Sequence, residues 1–360
     1  MRFLSIKKIA KEAGVSTATV SRVLNNPGYK CSSEELRERI WKIARELNYM
    51  PNEAARNLKK GITDTSQKVW YLDVLMTRTG NLETDPFFSE LLRVIESEIH
   101  RQGCILMHIF HQPLFSNDRK CRTENIDKVI AQMEPDGDIR SDGLIIIGKC
   151  NDNVLKKLSA KYKSIVSVNR NSTNYLVDEV ICDGKRIAAL AVEYLIGLGH
   201  RKIGYVGDCH NESRYKGYQD TLFHYGIDMD ISYVIEAEHT EAEGYAVMER
   251  LIQRGDAPTA IYCANDMIAI GMLKCLNKYK NRYYVPSIIS SDDIEEAQYT
   301  KPMLTSVRLP KEEMGKFALY LLVDRLSGGH KGIVRTELEG KLMIRESCTL
   351  VENANRMEYY

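Results

Sequence analysis

What the chain lacks narrows its class before anything it contains. It has no run of about 18 consecutive apolar residues, so no segment reads as a membrane-spanning helix. Its N-terminus, MRFLSIKKIAKEAG, becomes charged within a few residues. It has neither an apolar core nor a cleavage site, so it does not read as a secretory leader. The nine cysteines are an odd number, scattered singly without a CxxC pair. That pattern fits neither a disulfide framework nor a zinc site, and it suits a reducing cytosol. The eight histidines show no HxxxH or HExxH spacing, and no serine sits in a GxSxG elbow. The glycines of GLGHRKIGYVG (197–207) precede an apolar strand, whereas a dinucleotide fingerprint needs them after one. Gly199 reads instead as the residue that stops a helix. Cofactor and metal are therefore expected to be absent, and a cytoplasmic protein with no membrane partner is expected.

What is present is length, ordinary globular composition and an uneven charge. A chain of 360 residues, 44% hydrophobic and 28% charged, is too long for a single core. Its net charge of +1 hides a split. Residues 1–60 carry 13 Lys and Arg against 6 Asp and Glu, a net of +7, and the rest of the chain carries −6. A small basic module followed by a mildly acidic body points to a polyanion bound at one end.

The basic module resolves into three helices. Ile6, Ile9, Ala10 and Ala13 recur at helical spacing between a Ser5 cap and a Gly14 stop. Ser16 caps a second helix that buries Val20, Val23 and Leu24 and ends at Asn25-Asn26-Pro27-Gly28. A third opens with the capping box Ser32-x-x-Glu35 and buries Leu36, Ile40, Ile43 and Leu47. Two short helices joined by a tight glycine turn, with a third behind them, form a helix-turn-helix. Its second helix, VSTATVSRVLNN, carries more short polar side chains than a packing helix needs. In a major groove, Thr17, Ala18 and Arg22 would face base edges. Arg22 suits guanine, and Ala18 and the Thr17 methyl suit a thymine methyl. Ser16, Thr19, Ser21 and Asn25 are donors of the right length for phosphates.

Pro51 rules out a continuous helix from the third one, and Asn52 can cap a short new helix over YMPNEAARNLKK. Gly61 and the polar TDTSQ after it read as a linker. Beyond residue 68 strands and helices alternate: KVWYLDVLM, helix 87–103, CILMHIF, DGLIIIG and SIVSVNR. Then come helix 184–198, KIGYVG, helix 214–226, YVIEA, helix 241–254, AIYCA, helix 265–280 and SIISS. Apolar strands between helices predict parallel sheets covered on both faces, and two tandem series predict two doubly wound lobes. Ligands of such sheets bind at the carboxyl ends of the strands. There the sequence places Asn169-Arg170, Arg214, Asn265-Asp266 and Asp292-Asp293, groups that hydrogen-bond hydroxyls, with Phe87 and Phe88 as an apolar face for a ring. Asp292-Asp293 is also the one candidate for a catalytic carboxylate pair.

The stretch IKKIAKEAGVSTATVSRVLNNPG, with LRERIWKIARELNYMPNEAARNLKKG after it, resembles the head of the lactose-repressor/galactose-repressor (LacI/GalR) family of bacterial transcription regulators. The resemblance continues more loosely to about residue 348. It implies a homodimeric repressor, not an enzyme, that reads double-stranded operator DNA and holds a small-molecule effector in a two-lobed, periplasmic-binding-protein-like body. It also implies the division of the chain: a head over 1–50, a hinge helix and linker over 51–67, a first lobe over 68–172 with 303–330, and a second over 173–302 with 331–360. The chain is expected to cross between lobes near 171–174, 301–305 and 328–334. Leu58 matches a minor-groove wedge, and Ala55 and Arg56, beside Asn52, match neighbouring contacts to DNA. Arg214, Asn265 and Asp292 match effector-binding positions, Asn169 one usually held by aspartate, and Phe88 a ring-stacking aromatic. Departures are Ser290-Ser291, where glycine and an aromatic are common, and the long segments 77–86 and 111–141. The tail after Cys348 has no leucine heptad. A sugar is the effector expected from hydroxyl-recognising groups. The alternative is a purine or other non-sugar ligand on the same architecture. A carbohydrate-active enzyme or an exported solute receptor ranks below both.

Overall fold

The computed structural model describes residues 6–25, 33–46, 69–78, 85–117, 120–133, 140–169, 171–210, 212–279 and 284–353. The chain divides into two compact units, Met1–Lys68 and Val69–Tyr360.

In the first unit, α1 (Ile6–Ala13), α2 (Thr17–Asn25) and α3 (Glu34–Glu46) pack around Ile9, Ala10, Ala13, Val20, Val23 and Ile40. The Gly14 turn takes φ +68°, a left-handed conformation that glycine adopts without strain. Ser16 Oγ accepts the Thr19 N–H at 3.1 Å and starts α2. The start of α3 differs from expectation, because Ser33 rather than Ser32 is its cap, with the Leu36 N–H 3.2 Å from Ser33 Oγ. Arg39 donates to the Ala13 carbonyl at 3.1 Å, so a cation satisfies the open end of α1. Leu47 and the region 51–67, with its hinge reading, lie outside the described residues.

The second unit is built from two six-stranded sheets. The first contains β1 (Tyr71–Met76), β2 (Ile105–His111), β3 (Gly143–Ile147), β4 (Ser164–Asn169) and β5 (Asp178–Ile181). The second contains β6 (Ile203–Gly207), β7 (Val234–Glu236), β8 (Ala260–Cys263), β9 (Ser287–Asp292) and β10 (Thr305–Arg308). Two late strands, β11 (Arg335–Glu337) and β12 (Lys341–Met343), close the two sheets in turn. The orders are β2-β1-β3-β4-β5-β11 and β7-β6-β8-β9-β10-β12, one winding built twice. Among the described strands only β12 runs antiparallel, as an edge strand against β10. The intervening helices are α4 (Pro86–Arg101), α5 (Lys120–Thr123), α6 (Ile126–Ala131), α7 (Asp152–Lys161), α8 (Gly184–Gly197), α9 (Ser213–His224), α10 (Glu241–Ile252), α11 (Asp266–Tyr279) and α12 (Lys311–Leu326).

Alternation along the first sheet explains its continuous apolar runs. Val74, Met76, Ile145 and Ile147 face one core with Phe88 and Ile95, while Leu75, Leu144 and Ile146 face another with Phe115, Ile126 and Leu155. The long segment 111–141 therefore has a packing role: α6 buries Ile126 and Ile130 in that second core. In the second lobe α10 and α11 cross so closely that a Cβ on Gly271 would stand 2.0 Å from the Glu241 carbonyl.

The crossings between lobes differ from the expected ones. They fall at 182–183, 309–310 and 338–340, because β5 joins the first sheet and β10 the second. Both strands are four residues long, and β5 opens on two carboxylates, which hides it from a reading of hydrophobicity. Those carboxylates are buried only because they are paired. Asp178 accepts from Arg325 at 2.5 and 2.6 Å and is 2.9 Å from His330, while Glu179 accepts from the Thr173 backbone and hydroxyl. Gly199, at φ +91°, follows α8 as its stop. Among the described residues no helix is long and apolar enough to cross a membrane.

Candidate DNA-reading helix and effector cleft

On α2 the apolar side chains Val20 and Val23 face the head's core, and Thr17 and Arg22 are exposed. Ser16 and Thr19, expected at phosphates, also hold each other, with their hydroxyls 2.9 Å apart at the start of the helix. The positive end of the α2 macrodipole thus carries hydroxyl donors, an arrangement that favours a phosphate. The side chains of Ala18, Ser21 and Asn25 lie outside the described residues, as do Asn52, Ala55, Arg56 and Leu58.

In the body, each sheet reverses direction of winding between its first and third strands. The carboxyl ends of β1 and β3 and of β6 and β8 open onto the cleft between the lobes. A central cavity of about 160 Å³ is lined from the first lobe by Arg78, Phe88, Ser116, Asn117, Lys149, Asn169 and Asn171. The second lobe adds Asp208, Glu212 and Arg214. Arg214 is 1% exposed, an unusual place for a guanidinium. Burial works against its charge, but Glu212 at 2.9 Å and the nearby Asp292 outweigh that and hold it more firmly protonated than an ordinary arginine. It donates further to the Ala264 carbonyl and, at 3.2 Å, to His239 Nε2.

His239 stands between lobes: its Nδ1 is hydrogen-bonded to Arg78 of the first. A second bridge runs from the Ser213 N–H to Asn171 Oδ1 at 3.1 Å. Among the described residues no cluster of His, Cys, Asp and Glu has a metal-binding arrangement.

Against known proteins, residues 5–52 match the family model "Bacterial regulatory proteins, lacI family", and residues 192–348 match a periplasmic binding protein-like domain. The HTH-type transcriptional repressor MelR of Bacillus subtilis is 30% identical over 357 residues, covering 95% of this chain and 97% of that protein. The chain belongs to the lacI family of bacterial regulatory proteins. It is a transcriptional repressor and not an enzyme. The HTH-type transcriptional repressor PurR of Haemophilus influenzae is 29% identical over 360 residues, covering 95% of this chain and 98% of that one. Among solved structures, the transcriptional regulator CelR–cellobiose complex superposes with a TM-score of 0.64 at 24% identity, over 96% of this chain and all of that one. A lac repressor dimer bound to operator and the anti-inducer ONPF gives 0.64 at 23% over 97% and 100%. A ribose-bound LacI family regulator of Enterococcus faecium gives 0.62 at 23% over 78% and 99%.

Of the five effector candidates in this repressor, the fold brings Phe88, Asn169 and Arg214 to one cavity. Asn265 and Asp292 do not line it. Asn265 caps α11 through the Ile268 N–H at 3.1 Å and donates to the His239 carbonyl, so it holds His239 in place from behind. Asp292, at φ +125° and 4% exposed, acts on the cavity through Arg214. Its neighbour Asp293 is spent on structure, bound to Arg308 and Arg345 at 2.6 Å each, so the two do not form a catalytic pair. Ser290 and Ser291, the departure from the family pattern, are buried and serve Asp266 (2.5 Å) and Tyr262 (2.8 Å). Arg78, Lys149 and Asp208 escaped the sequence reading. Each follows within two residues of the end of β1, β3 or β6. The topological switch point singles out those strand ends once the strand order is known.

Proposed function

We propose that the repressor acts in the cytoplasm as a homodimer. Its two heads read a near-palindromic operator, and a sugar bound between the lobes controls that reading. Arg22 and Thr17, exposed on α2, address base edges with Ala18, while Ser16, Thr19, Ser21 and Asn25 hold phosphates. The region 51–67 acts as a hinge, with Asn52, Ala55 and Arg56 at the backbone or minor groove and Leu58 as the wedge between base pairs. The observation that carries the ligand reading is the central cavity itself. It combines an aromatic edge, Phe88, with amide, carboxylate and guanidinium groups drawn from both lobes, which is how hydroxyls and a pyranose face are held. The fold is shared with regulators solved with cellobiose and with ribose.

Control follows from linkage. Ligand and operator each favour one arrangement of the lobes, so each changes the other's affinity by the same factor. Arg22→Ala should weaken cognate binding by about 1–3 kcal/mol and random DNA much less, as read by filter binding. Equal losses on both would reduce Arg22 to a phosphate contact. Leu58→Ala should remove most of the operator bend measured with permuted sites while leaving the melting of the body unchanged. Calorimetry with sugars and purines tests the ligand class. If purines bind at micromolar levels and no sugar gives heat, the sugar reading is overturned.

A further inference from the structure

Two hydrogen bonds run from lobe to lobe beside the central cavity. At one, Arg78 of the first lobe donates through Nη2 to His239 Nδ1 of the second. At the other, the Ser213 N–H of the second lobe donates to Asn171 Oδ1 of the first at 3.1 Å. Arg78 and Asn171 both line the central cavity. Arg78 and His239 also border the wider mouth of the cleft, about 1160 Å³, and Asn171 and Ser213 border the narrower one, about 710 Å³. His239 is a fixed target for Arg78. Its carbonyl accepts from Asn265 Nδ2 at 3.3 Å, and its Nε2 stands 3.2 Å from Arg214. The next residue, Thr240, caps α10 by accepting the Glu243 N–H at 3.2 Å. Arg78 has a further hold on the second lobe through Asp208, the residue after β6. Burial, with Glu212 and Glu236 nearby, raises the Asp208 carboxyl above its ordinary range, while the His210 N–H and the charge of Arg78 pull it back. The guanidinium thus reaches both an imidazole and a carboxylate of the opposite lobe, and its planar fork of donors suits it to serve two partners.

We infer that Arg78 is a positioning residue of the repressor, a clasp that draws the second lobe onto the first and so sets how much of the population has its lobes closed over the cavity. The inference concerns the hinged body and stands whatever ligand the cleft takes. The lobes are joined by the crossings at 182–183, 309–310 and 338–340. Two-lobed bodies of this kind close by rotation about a few such hinge residues. Each bond made only when the lobes meet favours the closed arrangement by its own free energy. A ligand adds to that only the difference between its affinities for the two arrangements. Where a ligand needs the closed arrangement, its apparent affinity falls with the fraction of molecules that are open. Arg78 therefore acts on the response to a ligand through the lobes, and it does so from the end of β1, where the strand order places it at the switch point.

The Ser213 N–H supplies the probe. The first N–H groups of a helix find no acceptor within it, and Ser213 opens α9, so its amide is met from the other lobe by Asn171. Its hydrogen exchange therefore reports the meeting of the lobes. Exchange is followed by mass spectrometry on the full chain with no ligand added, at Ser213 and, as a control for folding, in β3 and β6. Arg78→Ala is expected to speed exchange at Ser213 at least about tenfold and to leave β3 and β6 unchanged. His239→Ala should do the same, and the double variant should do no more than either alone, because each change removes one shared bond. Arg78→Lys, which keeps a donor and a charge facing Asp208, should keep most of the protection. Unchanged exchange at Ser213 in Arg78→Ala would overturn the clasp. A rise shared equally by β3 and β6 would show a role in folding and overturn it too, as would single effects that simply add in the double variant. Operator affinity of the same variants separates the clasp from the regulatory reading. Faster exchange at Ser213 with operator affinity unchanged would keep the clasp and overturn its link to DNA binding.

Discussion

The two lobes repeat one winding of six strands, yet they furnish the cleft in opposite ways. The first lobe presents cations and amides at the ends of β1, β3 and β4 and on the segment between β2 and β3: Arg78, Asn117, Arg122, Lys149 and Asn169. The second presents carboxylates, the exposed lysines Lys185 and Lys216 at its rim, and one fully buried guanidinium whose hydrogen bonds are used within the lobe. If the cleft holds a ligand as proposed, the first wall meets it and the second holds a charge in place. Substitutions should therefore cost ligand affinity on one side and stability on the other.

The sharpest break in that comparison comes from Glu212. Glu212→Ala removes the carboxylate beside a guanidinium buried at 1% exposure, and lost pairs of that kind cost about 3–5 kcal/mol. The low end is expected, about 3 kcal/mol in urea unfolding of the body, because Asp292 still opposes the charge. Arg214→Ala shares the same pair, so it should weaken folding as well as ligand response. Arg214 is thus not a pocket residue alone. Gly271→Ala comes next, at about 1–3 kcal/mol, since its methyl group meets the Glu241 carbonyl of the neighbouring helix. A change near zero there would mean that α10 and α11 can part without penalty. On the first lobe the balance reverses. Asn169→Ala should lower ligand affinity by about 1–3 kcal/mol in calorimetry and leave the melting temperature unchanged, because its amide lies half-buried at the end of β4.

How far this contrast could be read from the sequence depended on spacing. Helical periodicity and caps placed α1 to α3, and apolar runs placed the long strands, because those signals are local. The short strands β5 and β10 escaped, since Asp178 and Glu179 look like loop residues until Arg325, His330 and Arg335 are seen beside them. Arg214 was legible as a polar residue opening a helix, but its burial was not. Lys149 and Arg78 gave no motif at all; only the strand order puts them at the switch point. Ser32 was one residue out, the usual scale of error for a helix end.

A further effect is one of pH. Burial, then the charge of Asp292, push the Asp266 carboxyl up to about 7 despite hydrogen bonds from Ser290, Ser306 and the Ile294 N–H. A carboxyl whose folded pKa is raised contributes stability at low pH and loses it as pH rises through the folded value. Asp266 should therefore make the body less stable between about pH 4 and 7, and Asp266→Asn should flatten that part of the curve. An unchanged slope would show that Asp266 is ionised throughout. His330 adds in the same direction: Asp324 and then Asp178 raise its pKa, so its contribution fades as pH rises above the ordinary histidine range.

In the proposed mechanism the cleft and the DNA-reading helix are two ends of one equilibrium. The most direct test is a thermodynamic square on the intact repressor. Operator affinity, on a duplex selected from a random pool, is measured with and without a saturating cleft ligand, and the ligand's affinity is measured with and without operator. Both ratios should come out equal and differ from one by about 5–150-fold, the range of allosteric coupling. An operator affinity that stays the same while the cleft is occupied would contradict the account.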